Sequence, residues 1–310
     1  MESIDIHKLT NKPKLLIYFL ATRPSFLTIT VIGCLIGFSI ANSNNNYLIN
    51  TFGLILALLA HAGSNVINDY YDSINGTDAL NKDRIYPYTG GSRFIQDKIF
   101  SATQIRRIGL AIFVITIVGC IFLSYSTNPW LSLIGLTGLI LGWSYSASPF
   151  KLMSRGLLGE IAITLSWSLV VYGAYFLHGY SNGNLLAPIF ISFSYGLIVS
   201  TILYVNQIPD IKSDRLVGKL TLATKVKKKH IWLYYLLILM CSYMTIVVGC
   251  IAGELSWRYL SLGILLPIHI YTSHLLRSHV SNREILKKSI VLTIMAAHLF
   301  GLLLIINNMI

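Results

Sequence analysis

Two short acidic segments hold the residues best suited to chemistry. The first runs Asn65-Val66-Ile67-Asn68-Asp69-Tyr70-Tyr71-Asp72-Ser73-Ile74-Asn75-Gly76-Thr77-Asp78, and the second runs from Asn206 through Asp210 and Asp214 to Lys219. On a continuing helix Asn65, Asn68, Asp69 and Asp72 fall at three- and four-residue spacings and share one face. Gly76 then permits a turn that brings Asp78 back toward that face. Asp210 and Asp214 are four apart, and Pro209 either kinks the chain before them or opens a new helical turn. Like charges on one face repel, and a bound cation is a physical reason to keep them together. Carboxylate and amide oxygens are hard ligands that suit Mg²⁺, an ion that commonly takes one or two protein carboxylates, several waters and substrate phosphate oxygens. Asp69, Asp72, Asp210 and Asp214 are therefore the expected metal ligands and catalytic residues, with Asn68, Asp78 and Asn206 beside them. Arg84, Arg93, Lys212 and Lys219 flank these acids and suit the remaining charge of a diphosphate. Lys151, after the small residues and proline of Tyr145-Ser146-Ala147-Ser148-Pro149-Phe150, is either a further phosphate ligand or a topological charge. The bland alternative, solvated loops with offsetting charges, does not explain why both segments read N-x-x-x-D.

The elements that must position these residues are membrane helices. Apolar residues make up 54% of the 310 and charged residues only 12%, with a mean hydropathy of +0.65. So many long apolar runs cannot all be hidden in a soluble core of this size. Nine apolar segments can be marked, at 14–41, 47–68, 104–125, 129–147, 157–178, 185–205, 231–252, 259–276 and 287–307. They are continuous rather than alternating, which predicts helices and not a closed barrel. Of the 24 lysines and arginines, all but Arg258 fall at the N-terminus or in the loops after even-numbered segments. That asymmetry predicts a cytoplasmic N-terminus and cytoplasmic acidic loops in the cell (inner) membrane. The two N-x-x-x-D motifs end segments 2 and 6, so the chain reads as two four-helix pseudo-repeats of the same orientation plus one helix. The whole chain, 1–310, is expected to be one all-α integral membrane domain.

Composition excludes other classes. The net charge of +12 suits basic loops against an anionic membrane face, and no zinc knuckle or basic-aromatic stripe points to nucleic acid. Cys34, Cys120, Cys241 and Cys250 sit in or beside apolar runs without a C-x-x-C pair and read as apolar fillers. His269, His274 and His279 step round a helix without sharing a face, so they form no metal site. The polar N-terminus predicts no removable signal peptide. No obligatory protein partner is expected.

At NDYYDSINGTD (68–78), TGGSR (89–93), YSASPFK (145–151), NQIPDIKSDRLVGKLTLAT (206–224) and Arg23-Pro24, the chain resembles the UbiA superfamily of membrane prenyltransferases. Within it the chain looks most like the branch that prenylates 1,4-dihydroxy-2-naphthoate in menaquinone biosynthesis. That branch usually has a second Asn and an Arg where this chain has Gln207 and Pro209, and often GPxR where Gly90-Gly91-Ser92-Arg93 stands. The resemblance implies a Mg²⁺-dependent enzyme that takes an allylic prenyl diphosphate and an aromatic acceptor from or near the bilayer. It also implies a prenyl or acceptor pocket near Tyr71 and Tyr145, which are otherwise ordinary interfacial aromatics. Other members of the superfamily use different aromatic acceptors or cyclise terpenes. Outside it, a secondary transporter would suit a parallel repeat, but the acids cluster at one face and not at the midplane. A CDP-alcohol phosphotransferase lacks support because Ser73, not Gly, follows Asp72.

Overall fold

A computed structural model describes residues 13–41, 46–177 and 185–310. The described chain begins with α1 (Lys14–Ala21) and α2 (Pro24–Ala41), followed by α3 (Tyr47–Asn75), the short α4 (Thr77–Leu80), α5 (Ala102–Ser126) and α6 (Trp130–Ser146). It continues through α7 (Leu158–Phe176), α8 (Leu186–Gln207), the short α9 (Ile211–Leu216) and α10 (Leu222–Lys225), then α11 (Ile231–Ile251), α12 (Leu266–His279) and α13 (Arg283–Met309). The fold is an all-α membrane bundle, as composition predicts. Each of the nine expected segments is occupied by a helix, though the fourth, 129–147, holds a shorter one. Among the described residues, eight helical stretches have the length and hydropathy to cross a bilayer, and α6 is an apolar helix of 17 residues.

Local chemistry sets the helix ends. Asn46 accepts hydrogen bonds from the Leu48 and Ile49 amides and starts α3. Ser101 and Gln104 form a reciprocal capping box at the start of α5. Gly76, at φ 80°, ends α3 in the left-handed region, as expected of a residue without a Cβ. The first expected segment, 14–41, is not one helix. It breaks at Thr22-Arg23, where Arg23 has φ 56° and Pro24 has no N–H to continue the ladder of α1. Segment 259–276 begins as a 3₁₀ helix (Trp257–Leu265) and becomes α-helical only at Leu266, with Pro267 in the first turn.

The most buried helix is α8. It packs along α7 and α11, and Tyr195, Ile198, Tyr204 and Val205 on it are fully buried. Without a hydrophobic drive between helices in lipid, association rests on packing and interhelical hydrogen bonds, each worth about 0.6 kcal/mol. Here Ser242 Oγ donates to the Ser194 carbonyl at 2.9 Å, Tyr195 OH to the Ile29 carbonyl at 2.7 Å and Tyr204 OH to the Ile231 carbonyl at 3.0 Å. The outer faces stay apolar, as Val114, Val118 and Phe122 on α5 show. A two-stranded parallel pairing, β1 (Arg155–Gly156) with β2 (Leu220–Thr221), ties the loop after α6 to the loop after α9. That pairing holds Lys219 where the two acidic segments meet.

Candidate active site

The end of α3 aims Asn68 and Asp72 into a cavity of about 330 Å³, and the turn at Gly76 returns Asp78 to the same space. From the other half of the chain, the end of α8 supplies Asn206, and the loop beyond it supplies Asp210, Asp214 and Lys219. Lys219 Nζ donates to Asp72 Oδ1 at 3.0 Å and stands 3.9 Å from Asp214 Oδ1. One buried ammonium thus bridges two carboxylates from opposite halves. Asn68 Nδ2 donates to Asp72 Oδ2 at 3.1 Å and lies 3.1 Å from Ser146 Oγ on α6. Asn81 Nδ2 holds Asp210 Oδ1 at 2.7 Å. Asp69 does not itself line the cavity but is ion-paired with Arg23, which does, while Ser92 N–H reaches the same Asp69 oxygen at 3.3 Å. The approach needs glycine at position 91, where a Cβ would stand 2.7 Å from Asp78 Oδ2 and 3.1 Å from Asp69 Oδ1. Away from these acids the wall turns apolar, with Ile29, Ile163, Val170, Val199 and Ile202.

Burial sets the electrostatics. It pushes the carboxyls of Asp78 and Asp214 up to about 7 and that of Asp210 up to about 6, and the nearby charge of Asp72 adds to each. Burial alone would lower the ammonium of Lys219, but Asp72 and Asp214 outweigh it and raise it above the ordinary lysine value. From the ordinary carboxylate range up to about 7, the folded state therefore binds more protons than the unfolded state, and raising the pH through that window removes stability. The melting temperature of the metal-free protein in micelles is expected to fall from about pH 5 to about pH 8. Mg²⁺ with diphosphate is expected to restore it at the higher pH. A melting temperature that rises across this range would contradict the raised carboxyls.

Two residues that line the cavity carry buried oxygens without hydrogen-bond partners, Asn206 Oδ1 and Asp214 Oδ1, and so do two residues that hold or adjoin the lining, Asp69 Oδ2 and Asn81 Oδ1. Buried acceptors left unpaired are costly, and a cation satisfies them. Among the described residues, however, no group of three or more His, Cys, Asp or Glu converges to hold a metal by protein ligands alone. The expected four-aspartate ligand set is thus not assembled as a cage. The donor set still fits Mg²⁺, which completes its shell with water and phosphate oxygens.

The sequence profile of the UbiA prenyltransferase family matches residues 30–302. The chain belongs to this family. It is a multi-pass membrane prenyltransferase. UbiA prenyltransferase domain-containing protein 1 of Dictyostelium discoideum is 30% identical over 74% of this chain and 70% of its own length. The 1,4-dihydroxy-2-naphthoate octaprenyltransferase of Haemophilus influenzae is 24% identical over 80% of each chain. A UbiA homologue from Archaeoglobus fulgidus, solved with DMAPP and Mg²⁺, shares the fold with a TM-score of 0.62 at 16% identity, covering 93% of this chain and 98% of that one.

In this UbiA-family chain, eight of the expected residues line one cavity: Asn68, Asp72, Asp78, Tyr145, Asn206, Asp210, Asp214 and Lys219. The other expected residues do not. Arg84 lies over the Tyr86 ring, and Arg93 Nη1 donates to the Asp78 carbonyl at 2.8 Å. Lys151 occupies a left-handed turn outside the cavity, and Lys212 is exposed. Tyr71 packs against Ile67, Phe113 and Trp143 on the far side of α3. Conversely, Arg23 and Asn81 hold the acids directly, and neither was expected to. The signal for Arg23 was a charge inside an apolar run directly before Pro24. Gln207 is also engaged: its Nε2 donates to Glu160 Oε1 at 2.9 Å, and its Oε1 accepts from the Ala223 amide at 3.2 Å.

Proposed function

We infer that this enzyme transfers a prenyl group from an allylic prenyl diphosphate to an aromatic acceptor, with 1,4-dihydroxy-2-naphthoate as the leading acceptor. The observation that carries it is the meeting of two aspartate segments, bridged by Lys219, at the acidic end of a cavity whose further wall is mostly apolar. Asp72, Asp78, Asp210 and Asp214, with the amide oxygens of Asn68 and Asn206, would hold the diphosphate through Mg²⁺. Asp69 would act from outside the cavity by fixing Arg23. The metal, when bound, supplies charge neutralisation at the leaving group. Lys219 adds a positive charge beside it. The donor's C–O bond breaks with its electron pair leaving on diphosphate, and the allylic cation is sheltered from water by the apolar wall. An electron-rich ring carbon attacks that cation, and the ring then gives up a proton or carbon dioxide. Naphthoate prenyltransferases among the relatives support this acceptor, and the solved homologue with DMAPP and Mg²⁺ supports the donor class and the metal.

An acceptor carboxylate would meet a different cation here from the arginine that Pro209 replaces. Arg84 and Lys151 do not line the cavity, whereas Arg23 and Lys219 do. The test is incubation with Mg²⁺, labelled prenyl diphosphates and a panel of aromatic acceptors, read by product mass. Complementation of a host lacking its naphthoate prenyltransferase, with menaquinone measured, then isolates the acceptor. Consumption of prenyl diphosphate without menaquinone would reject the naphthoate and keep the diphosphate chemistry. The distribution of lysines and arginines supports a cytoplasmic site in the cell membrane. On a cysteine-free background, an impermeant thiol probe on intact cells is expected to label Ser126→Cys and to spare Lys228→Cys. The opposite pattern would reverse the orientation.

A further inference from the structure

A second cavity, of about 120 Å³, lies against the first between α3, α5, α6 and α7. Ala60, Gly138, Ser166 and Val170 line both, so the two spaces meet at a shared junction. The second cavity is built for hydrocarbon. Leu56, Leu123, Leu131 and Leu177 stand in its wall. Its hydroxyls are engaged within their own helices, Thr116 with the Ile112 carbonyl and Ser166 with the Ala162 carbonyl, both at 2.8 Å. Along α3 the lining runs from Asn68 at the acidic end, through Ala60 at the junction, to Gly53 at the far end. That stretch rises roughly 22 Å, enough for several isoprene units.

Gly138 occupies the junction on α6. A Cβ added there would meet no atom within 4 Å, whereas at Gly135, one turn away, it would stand 3.1 Å from Cys120 Sγ, and at Gly142 2.3 Å from Ser64 Oγ. Only at Gly138, of these three, would a side chain project into open space, and that space is the passage.

We propose that the second cavity receives the distal end of the donor's prenyl chain, and that Gly138 sets how long a chain can enter. The occupant follows from the inferred diphosphate site, because a chain anchored there and leading away from the acids has this apolar space continuous with its own. Beyond the two engaged hydroxyls and the thiols of Cys34 and Cys120, its lining side chains are apolar or glycine and give a polar-headed acceptor little to bind.

The test compares turnover of a five-carbon and a twenty-carbon allylic diphosphate by the wild type, Gly138→Ala, Gly138→Leu and Ala60→Leu, the last narrowing the junction from the opposite wall. Gly138→Leu and Ala60→Leu are expected to lower kcat/KM for the long donor at least about tenfold relative to the short one, the scale on which apolar pockets discriminate size. Gly138→Ala, whose methyl meets nothing, is expected to fold and to shift the ratio less in the same direction. Turnover of the short donor reports that each variant is folded. An unchanged ratio in the folded variants, or an equal loss for both donors, overturns the role of Gly138. A wild type that turns over neither donor overturns the diphosphate site itself, and the occupant with it.

Discussion

Asp72→Asn is expected to lower turnover at least ~10²-fold, a loss of about 2.7 kcal/mol in transition-state stabilisation. The substitution keeps the size of the side chain and its ability to accept from Asn68 Nδ2, which lies 3.1 Å away. It removes the charge that Lys219 and a divalent ion both use. Asp210→Asn should behave alike, because Asn81 Nδ2 at 2.7 Å can still donate to an amide oxygen. Both losses should appear in kcat as well as in KM, since charge on a leaving diphosphate is greatest in the transition state. Full activity in either variant, or activity that survives EDTA, would refute the assignment of these aspartates. Asp69→Asn separates two roles. Asp69 is ion-paired with Arg23 and does not line the cavity, so its loss should lower the melting temperature as well as turnover.

Lys219→Met is the second large effect. Its ammonium is the bridge between the two halves of the site, with Asp72 at 3.0 Å and Asp214 at 3.9 Å. A hydrogen bond to a charged group contributes about 2 kcal/mol, so kcat/KM for the prenyl diphosphate is expected to drop about 30-fold. Removing one partner of a buried pair also leaves the other charge uncompensated. Asp72 and Asp214 would then repel without a counter-charge, and the metal-free variant should melt at a lower temperature than the wild type at neutral pH. Lys219→Arg keeps the charge but spreads it over a planar fork, and should recover part of both losses. Wild-type turnover by Lys219→Met would remove this lysine from the site. Retained stability with lost turnover would place its work on the substrate and not on the fold.

The bundle and the location of the acids are both written in local sequence. Continuous apolar runs predict the helices and Gly76 predicts the turn after Asn75, and both stand where expected because such signals act over a few residues. The spacing of Asn68, Asp69 and Asp72 likewise fixes which of them can share a helix face. Exceptions arise where one residue outweighs a run. Arg23 and Pro24 cut the first apolar segment in two, and the break frees the guanidinium to pair with Asp69, 46 residues away.

Sequence alone determined that two acidic segments would lie on one side of a helical membrane bundle, because composition and the distribution of basic residues act on each segment separately. Tertiary structure alone decided which cations stand among those acids. Arg84, Arg93, Lys151 and Lys212 are near the motifs in sequence, but none of them lines the cavity. Lys219 is carried inward by the pairing of Leu220 and Thr221 with Arg155 and Gly156, and it meets an aspartate 147 residues away. Long flexible side chains on loops go where the backbone turn sends them, and that direction depends on contacts between distant parts of the chain. The same holds for Gln207, whose amide is taken up by Glu160 and the Ala223 amide, and for the passage at Gly138, which exists only where helices from four parts of the chain fail to touch.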